Sequence, residues 1–181
     1  MHGCKQGMPA SQKILYELFY GYALSICLRY TKDYEQANEV MNDGFVKVFK
    51  SINGFIEPEN EVDLTRLFMG WLKRIMINTG INHFKSGKGV SVITKVENRF
   101  LEVERLVQYD TDKLAYEDLI KLIQKLSPAY RNTFCMYVID GYKHEEIAGL
   151  LGITVGASKS NLLKARKNLR KMLEVVYAQK V

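Results

Sequence analysis

Apolar residues recur along this chain at helical spacing, and helix breakers are few: Pro occurs only at Pro9, Pro58 and Pro128. Between Lys13 and Tyr30 a stripe runs through Ile14, Leu18, Tyr22, Ser25/Ile26 and Arg29, widened by Leu15, Phe19 and Tyr30. A second helix is expected from Tyr34 to Ile52, with Ala37, Val40/Met41, Gly44/Phe45, Val48/Phe49 and Ile52 on one side. Asn53-Gly54 would close it, since glycine tolerates the left-handed conformation at a helix end. The acidic FIEPENEVD reads as a loop. Leu64 to Phe84 follows as a third helix with Leu67, Phe68, Trp71, Leu72, Ile75, Met76 and Ile81. That is more apolar surface than a lone surface helix carries, so it is placed at the centre of a bundle, Trp71 included.

Gly87 to Asp112 mixes strand-like alternation with helical spacing and reads as a boundary. Beyond it, LAYEDLIKLIQKL sets Leu119, Leu122/Ile123 and Leu126 on one face. Ser127-Pro128 is a start signal, with Ser able to cap and Pro suited to the first turn. Asp140-Gly141 stops the helix that follows. The expected fold is all-α: an N-terminal helical bundle and a C-terminal helix-turn-helix domain joined by a linker. The boundaries are residues 1–12 as a disordered start, 13–87, a linker at 88–113, and 114–176.

The C-terminal stretch HEEIAGLLGITVGASKSNLLKARKNLRKML carries the sharpest chemistry. Two short helices packed across a tight turn, the second entering the major groove of DNA, make a helix-turn-helix. Ile147, Leu150 and Leu151 would face inward on the first helix. Gly152 would make the turn and Ile153 its corner, and Thr154 would cap the second helix. Val155, Ser158, Leu162, Ala165, Leu169 and Met172/Leu173 would form that helix's inner face. Its outer side shows Ala157, Lys159, Ser160, Asn161 and Lys164, then Arg166, Lys167, Arg170 and Lys171. Small and amide side chains suit base edges and cations suit phosphates. If about three to four cations meet phosphates, log K should fall with log[salt] at a slope of roughly −3. That is weak alone, so tight binding would need a further contact.

The net charge of +6 agrees with an anionic partner. Cys4, Cys27 and Cys135 are scattered and offer no zinc spacing. Cys27 and Cys135 sit in apolar runs and are expected to be buried, whereas Cys4 sits in a polar start and is expected to be exposed. The start lacks an apolar secretory segment and no run of about 18 apolar residues exists, which points to the cytoplasm without membrane insertion. HEEIAG fails the zinc-protease pattern because Ala148 stands where the second His is needed. SGKGVS has the wrong glycine spacing for a phosphate loop, and His2, His83 and His144 are far apart in sequence. Neither catalysis, metal nor cofactor is expected.

The stretch LIQKLSPAYRNTFCMYVIDGYKHEEIAGLLGITVGASKSNLLKARKNLRKML resembles the C-terminal promoter-reading domain of bacterial RNA polymerase sigma factors of the extracytoplasmic-function type. ANEVMNDGFVKVFKSI resembles that family's polymerase-clamp helix, and LFMGWLKRIMINTGINHFK its helix that melts and reads the proximal promoter element. The resemblance runs from Leu15 to Leu173. It implies a transcription initiation factor whose partners are core RNA polymerase, promoter DNA (double- and single-stranded) and an anti-sigma protein.

By the resemblance, Glu39, Asn42, Asp43, Phe45, Val48 and Phe49 would meet polymerase, although at helical spacing Phe45 and Phe49 serve a core equally well. Lys73, Arg74, Asn78, Asn82, His83 and Lys85 would face the proximal element, and Phe55 to Asp63 would hold a flipped base. Thr154, Ala157, Lys159, Ser160, Asn161, Lys164, Arg166 and Lys167 would face the upstream element. Four positions depart from the family's habit: Asn82 for Asp, Lys85 for Arg, and Ala157 and Asn161 for Thr and Arg. Lys143 replaces a Ser cap, while Glu146 keeps the other half of a capping box. The alternative is a stand-alone helix-turn-helix regulator with a helical sensing or dimerisation domain.

Overall fold

The computed structural model describes residues 1–57, 61–85 and 113–178. The described residues hold eight α-helices and no strand. They fall into two compact units. Residues 88–112 of the expected linker, and 58–60 of the expected loop, lie outside the described residues; Lys113 already opens a helix.

The first unit is built from α1 (His2–Lys5), α2 (Pro9–Tyr30) as far as Cys27, α3 (Tyr34–Ser51) and α4 (Glu61–Lys85). Its core takes Leu15, Phe19, Ala23 and Leu24 from α2, Ala37, Val40, Met41, Phe45 and Val48 from α3, and Phe68, Leu72, Met76, Ile77 and Ile81 from α4. Phe19 and Phe68 meet with ring centroids 4.8 Å apart. Burial of that many large side chains, each stabilising by about 1.5–3 kcal/mol, holds the bundle.

Several expectations need correction here. The inward line of α2 is Leu15 and Phe19; Ile14 is 64 % exposed and Leu18 57 %. The start of the chain is not disordered. α1 forms, Cys4 is buried, and Lys5 Nζ donates to the Phe55 carbonyl at 3.1 Å and pairs with Glu57 at 2.7 Å. Those contacts bridge about fifty residues, which local composition does not register. Gly54 does not cap by a left-handed turn: α3 stops at Ser51 and tightens into a 3-10 turn, Ile52–Gly54. α4 begins at Glu61, so Glu61 to Asp63 are helical rather than loop.

The second unit comprises Leu28–Asp33 and α5 (Lys113–Gln124), α6 (Pro128–Phe134), a π-helical turn at Cys135–Ile139, α7 (His144–Leu151) and α8 (Val155–Ala178). α5 buries Ile120, Leu122 and Ile123, and Leu126 just beyond it is buried too, whereas Leu119, expected on that face, is 42 % exposed and Ile120 takes its place. Pro128 opens α6, but the Ser127 hydroxyl makes no cap bond. Cys27 and Cys135 are fully buried.

Candidate nucleic-acid and protein interfaces

α7 and α8 are set by local chemistry. The Lys143 backbone N–H donates to Glu146 Oε2 at 2.7 Å, so half of a capping box suffices to start α7. Gly152 ends it at φ 70°, ψ 38°, where a side chain would be strained. Thr154 Oγ1 accepts from the Ala157 N–H at 3.0 Å and caps α8. Ile147 and Ala148 of α7 are buried, as are Ser158, Leu162, Ala165 and Leu169 of α8. A polar pin joins the two helices: His144 Nδ1 lies 2.9 Å from the buried Ser158 Oγ, and the Tyr137 ring stacks on His144 at 4.5 Å. The expected helix-turn-helix forms; of the inner positions expected, Ile147, Ser158, Leu162, Ala165 and Leu169 are buried, while Leu150, Leu151, Val155, Met172 and Leu173 are half-buried.

The outer face of α8 is sorted by helical period. Ala157, Ser160, Asn161, Lys164, Lys167 and Lys171 lie at steps of three and four and share one face. Its cations are exposed, with Lys164 Nζ 6.0 Å from the Tyr130 ring centroid. Lys159 and Arg166, seven residues apart, fall on a different flank. Arg166 lines an apolar groove with Leu119, Phe134, Leu169 and Leu173, beside Arg170 and Glu174. The cationic run is therefore two surfaces rather than one.

On α4, Arg74, Asn78 and Lys85 share a face at steps of four and seven, with Asn82 at its edge. Trp71 belongs to the same face. It is half-buried, not core, packed against Phe55 and Phe68 at 5.2 and 5.7 Å. Lys73 lies on the other flank. His83 turns inward: its side chain is 8 % exposed and Nε2 stands 3.9 Å from Glu39 Oε2 of α3. His83 is thus a helix–helix contact rather than a surface donor.

α3 presents Glu39, Asn42 and Asp43 to solvent. Phe45 and Val48 do not join them: at 2 % and 0 % exposure they belong to the core, and Phe49 is only partly exposed. The apolar residue on the open face is Val46, 51 % exposed, which the residue pattern hid beside the larger Phe45. Among the described residues no group of His, Cys, Asp and Glu has the arrangement of a metal site, and no helix is long and apolar enough to cross a membrane.

A capped helix-turn-helix with a cationic outer face, and a separate helical unit with its own basic and acidic faces, define a DNA-directed protein of two helical regions. Comparison with known families agrees region by region. Sigma-70 region 2 matches residues 15–89, and Sigma-70, region 4 matches residues 116–169. The chain is 25 % identical over 161 residues to the RNA polymerase sigma-H factor of Pseudomonas aeruginosa, covering 83 % of this chain and 80 % of that one. It is 24 % identical over 162 residues to the ECF RNA polymerase sigma factor SigW of Bacillus subtilis, covering 82 % and 81 %. The fold is similar to that of the sigma factor RpoE of Bartonella quintana, solved with the anti-sigma factor NepR, at a TM-score of 0.51 and 22 % identity over 91 % of this chain and 96 % of that one. The chain belongs to the sigma factors of bacterial RNA polymerase, of the extracytoplasmic-function type. It is a transcription initiation factor and not an enzyme.

Proposed function

We propose that this protein binds core RNA polymerase through the open face of α3 and carries it to promoters read at two places. The upstream element enters the face of α8 that starts at Thr154 and Ala157 and continues through Ser160, Asn161, Lys164 and Lys167. Residues near the capped start meet base edges, and the cations beyond meet phosphates. Asn161 favours adenine over guanine edges, because its amide pairs with the adenine N6 and N7.

The proximal element and the melted strand are held by the first unit. Arg74 and Lys85 follow the backbone, Asn78 and Asn82 offer amide contacts, and the half-buried Trp71 supplies a flat surface for an unstacked base. On α3, Glu39, Asn42, Asp43 and Val46, with the edge of Phe49, form an acidic rim around an apolar centre suited to a basic helical surface. An anti-sigma protein holds the factor inactive, and the protein acts in the cytoplasm.

The observation that carries this reading is the sorting of α8. Its small, amide and cationic residues share the solvent side, while Ser158, Leu162, Ala165 and Leu169 fill the core. The test is run-off transcription with purified core polymerase on a mixed library of promoter fragments. Defined start sites that appear only when the protein is added support the reading. No transcript, and no co-purification with core, overturns it.

A further inference from the structure

Across the antiparallel pair α2 and α3, two tyrosines reach two asparagines, one helical turn apart on each helix. Tyr20 Oη donates to Asn38 Oδ1 at 3.1 Å, and Tyr16 Oη donates to Asn42 Oδ1 at 3.0 Å. The two rungs differ in what they leave open. Asn38 also donates from Nδ2 to the Tyr34 carbonyl at 3.0 Å, so that amide is used at both ends. Asn42 is exposed, and among the described residues its Nδ2 makes no hydrogen bond. Tyr16 itself is held in place, half-buried, with its ring 4.7 Å from Phe45 and 5.6 Å from Tyr20.

We propose that Tyr16 is a positioning residue for polymerase binding: by tying down Asn42 Oδ1 it fixes the amide so that its two N–H donors are presented to an acceptor on core polymerase. This rests on the reading of α3 as the polymerase face. A free surface amide can flip and must be ordered on binding, and a hydroxyl anchored in the bundle removes both costs in advance. Asn42 stands beside Asp43 and one turn before Val46, so the donor it offers sits within the same exposed face.

The experiment is a double-mutant cycle on the full chain, read as affinity for core polymerase by competition with a labelled sigma factor. Tyr16→Phe keeps the ring on Phe45 and removes only the hydroxyl. It should weaken core binding about two- to tenfold and leave the unfolding temperature nearly unchanged. Asn42→Ala should weaken binding about tenfold or more, and adding Tyr16→Phe to it should cost nothing further. Equal losses from Tyr16→Phe in both backgrounds, or no loss in either, would overturn the proposal. Failure of the α3 reading looks different. Asn42→Ala, Asp43→Ala and Val46→Glu would then all bind core as the parent does, and the role of Tyr16 falls with it.

Discussion

Gly44 of α3 lies flush against Met76 of α4: a Cβ built on Gly44 would stand 2.9 Å from Met76 Cε and closer still to its Sδ. Met76 is fully buried, so its side chain has little room to yield. Replacing Gly44 by Ala gains about 1 kcal/mol of helix propensity but overpacks the contact at a cost of about 1–3 kcal/mol. Gly44→Ala should therefore destabilise the first unit modestly and Gly44→Val more strongly, as read by urea unfolding. A stabilised Gly44→Ala variant would show that Met76 finds another rotamer and that the contact is not rigid.

Phe45 and Val46 are neighbours in sequence with opposite environments, and substitutions should separate them. Phe45→Ala removes a ring from the core and should cost about 3–5 kcal/mol. Val46→Glu changes an exposed position and should alter stability by no more than about 0.5 kcal/mol. On the proposed function, the same Val46→Glu should reduce core polymerase binding, because the change falls within the docking face. Thermal unfolding and core affinity measured on both variants decide it. A Val46→Glu protein that binds core normally removes Val46 from the interface.

The turn between α7 and α8 has two replaceable supports. Gly152→Ala forces a side chain into the left-handed region and should cost about 1–2 kcal/mol. Thr154→Ala removes the cap on Ala157 and should cost about 1 kcal/mol, whereas Thr154→Ser keeps the hydroxyl and should be near neutral. Calorimetry on the three variants tests the order. Equal losses for Thr154→Ser and Thr154→Ala would mean that the Thr154 methyl, not its hydroxyl, holds the helix start.

How much of this was legible in the sequence depended on the helix. α8 alternates one apolar stripe with cations, so its inner face and the Gly152–Thr154 turn follow from period and capping chemistry. α2 is apolar nearly all round, so spacing alone does not decide between Ile14/Leu18 and Leu15/Phe19; only the packing partners do. In α5 two apolar residues stand side by side, and the structure buries Ile120 where the spacing suggested Leu119. Cys4 is buried in α1, the helix whose Lys5 reaches Phe55 and Glu57, a distant contact without local signature. Trp71 and His83 were misjudged for a related reason. Residue type suggests core for one and surface for the other, but helix rotation turns Trp71 half outward and swings His83 toward Glu39.

The three cysteines should be inert in the folded protein. Cys4, Cys27 and Cys135 are buried, and burial pushes the Cys135 thiol up from 9.0 to about 12. The thiolate is the reactive form, so at pH 8 alkylation should be negligible until denaturant is added, when all three should react. The sign for stability follows. The folded state holds the Cys135 proton more tightly than the unfolded chain, so this contribution is complete below pH 9 and is lost as pH rises from 9.0 to about 12. Mass spectrometry of alkylated native protein checks the first point. Rapid native labelling of Cys135 would mean that the region around the π-helical turn opens readily.

The division of α8 into two cationic surfaces leads to the last prediction. Lys164, Lys167 and Lys171 share the face of Ala157 and Asn161, while Arg166 lines the groove with Leu119 and Leu173. A phosphate contact contributes about 0.9 to the slope of log K against log[salt], whatever the base sequence. For holoenzyme on a promoter duplex, Lys164→Gln should therefore make that slope shallower by about one and weaken binding more at low salt than at high. Arg166→Gln should leave the slope unchanged, since Arg166 lines the groove on the flank away from the face proposed to meet DNA. Anisotropy titrations across a salt series measure both. If Arg166→Gln lowers the slope as much as Lys164→Gln does, the DNA wraps further round α8 than one face allows, and the groove beside Leu119 belongs to the DNA interface as well.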